Sequence, residues 1–364
     1  MDDRGRAIAE ALWKAEPVPA AVGGSALIVV LWVVGLLSVM VASFAFDAHI
    51  ESRITSYYRK RAKAEYLARS GIQIAEMLMI KSSEFKRDKP TPEASEEDRW
   101  YQTATILSDG LALTGSAVVE KLGEGTVTVE IVPEPARRNI NSLGGSDTEK
   151  EENLERIFNV AGIPEELYAK LIESFLDWTD VDDAVRPDGA EDDYYGSLEK
   201  PYKVKNGPLD TTGELLLVKG FTKTVLSGGT IEAGRPDEEP VMTSGIEDML
   251  TTYGDGKVNV NAAGRRVLMT LPDVDDAIAD TIIEERQGWY DEQGRKEDTS
   301  FKSPDDLMGR IPELNPAVRA LVTTESGIYR VTSVGNVGSV RFEIWSIVQR
   351  GDQGMTILRW KEQD

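Results

Sequence analysis

Residues 25–46 read SALIVVLWVVGLLSVMVASFAF, 22 residues without a charged side chain. As an α-helix rising about 1.5 Å per residue this run covers roughly 33 Å, one bilayer crossing. A cleaved secretory signal has a shorter apolar core, about 7–15 residues, behind a basic segment. Here Arg4, Arg6 and Lys14 are outnumbered by Asp2, Asp3, Glu10 and Glu16, so the run reads as a retained span. Downstream, Ile50, Ile54, Tyr57, Ala64, Leu67, Ile72, Ala75 and Leu78 recur at helical spacing, and only Gly71 interrupts. The span therefore continues into an amphipathic stem, a single helix from about residue 25 to residue 82. Arg53, Arg59, Lys60, Arg61 and Lys63 follow the span, so charge bias alone points the bulk of the chain toward the cytoplasm.

The 364 residues carry 63 acidic against 41 basic side chains, a formal charge of −22, which phosphate backbones and anionic lipid surfaces repel. With 41% hydrophobic residues the chain has the material for a folded core, and its length suits about two domains. The absence of cysteine excludes a disulfide, a thiolate zinc site and a cysteine nucleophile. The single histidine, His49, excludes multi-histidine zinc sites and, standing just beyond the apolar run, argues against a Ser-His-Asp triad.

Two stretches in the middle of the chain look alike: 137–143 with 154–178, and 257–263 with 266–289. With Trp178 set on Trp289, Ile157, Val160, Ile163, Leu167, Leu171 and Ile172 fall on Leu268, Leu271, Val274, Ile278, Ile282 and Ile283. Each copy reads as a helix, a short hairpin and a second helix. Helix-hairpin-helix units grip phosphate through hairpin amides, but Glu165 and Glu166 in one hairpin and Asp273, Asp275 and Asp276 in the other present carboxylates instead. The repeats read as scaffold or partner surface rather than as a nucleic-acid grip. Strand-like alternation occurs at 125–132, 328–334, 339–349 and 355–360, on both sides of the helical block.

Gly23 and Gly24, the apolar run directly after them and its amphipathic continuation resemble the leader and stem of type IV pilins and pseudopilins. The resemblance implies a leader of residues 1–24, cut after Gly24 by a prepilin peptidase so that Ser25 opens the mature chain, and it implies methylation. Most members carry glutamate at the fifth mature position, where this chain has Val29. Cutting after Gly23 would place Ile28 there. The K minor pseudopilins of type II secretion characteristically lack that glutamate.

Four further motifs, in order, are similar to the general secretion pathway protein K family. They are Asn139-Ile140-Asn141; Leu176-Asp177-Trp178 with an acidic stretch to Tyr194; Asn206 to Leu209 with Glu214 and Leu215; and Asn259-Val260-Asn261. The resemblance runs from about Gly23 to the C-terminus. It implies a non-enzymatic minor pseudopilin that caps the periplasmic pseudopilus and helps initiate its assembly for export across the outer membrane. The implied partners are the I and J minor pseudopilins, the major pseudopilin and prepilin peptidase. The implied location is the inner membrane, single-pass, with a periplasmic C-terminal domain. A minor pilin of a type IV pilus is the closer rival reading; a membrane-anchored nucleic-acid receptor is the more distant one.

The expected fold is α+β. A leader (1–24), a transmembrane helix (25–46) and an amphipathic stem (47–82) precede a pilin-like head with an antiparallel sheet (83–134 and 325–364). A mostly α-helical domain with the two helix-hairpin-helix-like repeats is inserted at 135–324. Residues 86–100 and 228–240 read as solvated loops. From Asp177 to Asp193 eight carboxylates face one arginine, crowding that suits either a hydrated face or a cation. The spacing is not that of an EF-hand. The family resemblance implies Ca²⁺ here, with Asp180, Asp182, Asp188, Glu191 and Asp192 as oxygen donors.

Overall fold

The computed structural model describes residues 23–87, 118–232, 240–287, 299–351 and 354–363. The leader up to residue 22, most of the loop expected at 86–100, residues 233–239 of the loop expected at 228–240, and Trp289 lie outside the described residues.

Helix α1 spans Gly23–Arg87 without a break. The chain divides between Ala62 and Lys63 into two compact units. In the first, α1 exposes Leu27, Trp32, Val39 and Phe44, and from Ala26 the helix is long and apolar enough to cross a membrane. A candidate membrane anchor is thus the dominant feature of this unit.

In the second unit, α1 lies on an antiparallel five-stranded sheet formed by β1 (Val118–Leu122), β2 (Gly125–Pro133), β3 (Ile328–Val337), β4 (Val340–Arg350) and β5 (Met355–Gln363), adjacent in that order. The strands alternate as one face demands: β3 buries Tyr329, Val331, Ser333, Gly335 and Val337 and leaves Arg330, Thr332 and Val334 part-exposed. Two-residue turns starting at Gly123 and Gly338, both at φ +62°, join β1 to β2 and β3 to β4. Ala64, Ala68, Ile72, Ala75, Leu78 and Met79 of α1 pack with Val127, Val129, Ile131, Phe342 and Ile344 into one apolar core.

Small residues let helix and sheet approach closely. A Cβ on Gly71 would overlap Ser333 Oγ and the methyls of Val127 and Val129; one on Gly335 would overlap the backbone of Ala64 and Ala68. The residue that interrupts the amphipathic pattern of the stem is therefore its contact point with the sheet.

The chain between β2 and β3 forms a second, separate apolar core, from Ile140 to Val322. Its helices include α2 (Asp147–Ala161), α3 (Tyr168–Thr179) and α4 (Asp276–Gln287). A Ser146–Glu149 capping box starts α2, and Gly162 at φ +71° ends it. Asp273, at φ +55°, occupies the corresponding turn of the second copy. Paired positions share burial: Ile157 and Leu268 are fully enclosed, as are Leu171 and Ile282.

In the second copy the first helix shrinks to Arg265–Leu268, but the likeness continues outside the helices. Asn139 accepts the N–H of Asn141 at 3.0 Å, and Asn259 that of Asn261 at 2.9 Å. Asn141 then bonds both peptide groups of Leu209, accepting at 2.8 Å and donating at 2.9 Å; Asn261 does the same with Phe301, at 2.9 Å each way. A matching backbone-to-carboxylate bond follows in each copy, Asp210 N–H to Glu214 and Lys302 N–H to Asp306. Each copy closes with a short parallel pairing, 138–139 on 250–251 and 258–259 on 322–323. The two halves of the inserted domain share this closure, each held by its pair of asparagines.

Candidate functional site

The acidic segment leaves the C-terminus of α3 and lies over an aromatic cluster. Trp178 meets Tyr195 edge-on at 5.1 Å, Tyr195 stacks on Tyr202 at 5.3 Å, and Trp178 Nε1 donates to Glu214 at 3.1 Å. Burial holds the Tyr195 phenol up at about 12, so it stays neutral and accepts the Lys219 N–H. Lys219 Nζ in turn donates to the carbonyls of Asp188 and Gly189, at 3.1 and 2.7 Å. Gly189 cannot be larger, because a Cβ would overlap the Asp177 carboxylate.

Asp177 is fully buried, and Arg186 answers it. One nitrogen, Nη1, donates at 2.6 Å to Asp177 and at 2.6 Å to Asp180, while Nη2 reaches Asp147 at 2.8 Å. Sequence reading counted Arg186 only as the lone cation of the segment; here it is the hub. Asn206, at φ +47°, donates to Asp183 and to the Asp182 carbonyl.

Of the five expected donors, Glu191 stands apart. It is only 6% exposed, and neither of its carboxylate oxygens has a hydrogen-bond partner. Burial, reinforced by Asp177, Asp180, Asp183 and Asp182, pushes its carboxyl up to about 7. Asp180 Oδ1 and Asn206 Oδ1 are likewise enclosed without a partner. Asp182 is exposed and accepts the Ala184 N–H, Asp192 is exposed and accepts the Val204 N–H, and the Asp188 side chain is exposed. Among the described residues no three acidic side chains converge closely enough to form a ready metal cage. The unpartnered oxygens of Glu191, Asp180 and Asn206 are of the chemical type that a hard cation takes.

The remaining expected positions lie on α1. Gly24 and Ser25 fall in its first turn, and Val29 is exposed.

The sequence profile of the family described as Type II secretion system (T2SS), protein K matches residues 136–228, which include the first asparagine unit and the acidic segment. The type II secretion system protein K of Pseudomonas aeruginosa is 25% identical over 340 residues, covering 91% of this chain and 90% of that protein. That of Aeromonas hydrophila is 25% identical over 358 residues, covering 93% and 96%. The fold is similar to a chain in the crystal structure of the GspK-GspI-GspJ complex from the enterotoxigenic Escherichia coli Type 2 Secretion System. That match has 15% identity and a TM-score of 0.56, and it covers 86% of this chain and 99% of the other. Along most of its length, and on a pilin-like frame, the chain is thus similar to the type II secretion system protein K family.

Proposed function

We propose that this chain is a minor pseudopilin of type II secretion, anchored in the inner membrane by α1 with its head in the periplasm. It caps the tip of the pseudopilus and helps start its assembly, together with I- and J-type minor pseudopilins and above the major pseudopilin. Its work is binding rather than chemistry. The observation that carries this reading is the insertion: a domain with its own core interrupts a pilin-like sheet between β2 and β3. Such a bulk suits the end of a helical filament better than a repeating position beneath further subunits.

Val29 supports the same placement. In the pilin family a glutamate at this position is taken to neutralise the N-terminal amine of a neighbouring subunit. Prepilin peptidase cutting after Gly24 leaves this chain without that carboxylate, and an unpaired buried ammonium costs several kcal/mol. A subunit with no predecessor above it avoids that cost. A Ca²⁺ ion held by Glu191, Asp180 and Asn206, with Asp182, Asp188 and Asp192 near it on the same segment, supplies positive charge to the crowded loop and ties it to the inserted domain.

Deletion of the gene with complementation by labelled protein tests the capping role. The expected result is one label per filament, at one end, with secretion lost in the deletion. Label distributed along the filament contradicts it.

A further inference from the structure

A cleft of about 400 Å³ opens between the head sheet and the inserted domain, lined by Arg137, Arg266 and Arg330 with the hydroxyl residues Thr212, Ser227 and Ser244. Arg330 is incompletely used. Arg330 Nε and Arg137 Nη1 share a single oxygen of the buried Glu134, at 2.7 and 3.4 Å. Among the described residues the two Nη atoms of Arg330 make no hydrogen bond. Arg266 is spent on the cleft wall, holding Asp248 through Nη1 and the Gly245 carbonyl through Nη2.

Cationic side chains continue outward over the sheet. Register sets Arg330 beside Ile347 and Ile347 beside Arg359, and in the next row Thr332 beside Trp345 and Trp345 beside Lys361. Trp345 thus becomes a floor with three cations around it: Arg330 at 5.4 Å, Arg359 at 5.8 Å and Lys361 at 5.8 Å from the ring centre. Lys361 is exposed and has no ion pair among the described residues. Arg359 is bonded to a carbonyl, that of Asp210, at 3.3 Å.

We propose that the arginine cleft and the Trp345 strip beside it form one docking surface for an acidic segment of a partner protein. Guanidinium forks match carboxylates two bonds at a time, and the indole offers apolar area to the methylenes of a glutamate. Charge complementarity selects this occupant, because in a chain of net charge −22 the strip concentrates cations. The carboxylates of Glu247 and Asp248 at the cleft wall disfavour a continuous phosphate backbone while leaving room for separated carboxylates. The surface depends neither on the acidic loop nor on the position of the subunit in a filament.

The test uses the full chain in detergent with a photo-crosslinkable hexaglutamate peptide, and hexaglutamine and hexathymidylate as comparisons. Hexaglutamate is expected to bind about tenfold more tightly than hexaglutamine at low salt, with the advantage fading as salt rises. Crosslinks should fall on strands β3 to β5 and the cleft. The R359Q/K361Q pair leaves Glu134 paired and should weaken binding about fivefold with an unchanged melting temperature. Equal binding of the two peptides, crosslinks elsewhere, unchanged affinity in the double variant, or equally tight hexathymidylate binding would each overturn the proposal.

Discussion

Asn261 satisfies both polar groups of Phe301 while only 3% exposed, so water cannot replace it. Asn261→Leu is expected to cost about 2–4 kcal/mol, the price of leaving a buried donor and acceptor unmet. The equivalent Asn141→Leu should cost less, because Asn141 is part-exposed; urea unfolding of the two variants measures the difference. Glu191 makes a second prediction. Its carboxyl rises from 4.5 unfolded to about 7 folded, so the folded state binds the extra proton between those values. In EDTA, stability contributed by this group is present at low pH and is lost as pH rises toward 7. Melting in EDTA should fall from pH 6 to pH 8 in the wild type and fall less in E191Q. Added calcium at pH 8 should restore the wild type alone. Parallel pH slopes in the two proteins, or no calcium effect, would sink the metal assignment. The motif containing Glu191 was legible in the sequence. Its isolation from every hydrogen-bond donor was not, because that depends on Arg186 being drawn to Asp147, Asp177 and Asp180 instead.

The elements show a similar division between what pattern carries and what packing decides. Alternation placed four strands of the head to within a few residues, and the apolar register aligned Ile157 with Leu268 and Leu171 with Ile282, which are equally buried. β1 (Val118–Leu122) went unread. The outer half of each copy also went unread, because loop lengths differ: Asn141 reaches Leu209 across 68 residues, while Asn261 reaches Phe301 across 40. Gly71 looked like a flaw in the stem and is a point of close approach. Comparing Gly71→Ala with Gly335→Ala separates tolerance from clash. The first meets side chains that can shift, including Ser333 Oγ, whereas the second meets the backbone of α1. Gly335→Ala should destabilise the head by roughly 1–3 kcal/mol and the Gly71 variant by less; equal melting temperatures would contradict the geometry.

At the scale of the whole molecule, an apolar helix, a pilin-like sheet and an inserted domain answer different demands within one chain. The helix is a candidate membrane anchor, the sheet holds the stem, and the insert adds bulk and a carboxylate-rich loop, with an arginine-lined cleft where it meets the sheet. That combination suits the proposed role of a subunit used once, at an end. Native mass spectrometry of the full chain, co-expressed with I- and J-type minor pseudopilins and prepilin peptidase and extracted in mild detergent, tests the central claim most directly. The account predicts one copy of each subunit in a single complex, with this chain beginning at Ser25. A chain that keeps Met1 in the presence of the peptidase, or that purifies alone or as repeated copies of itself, would contradict it.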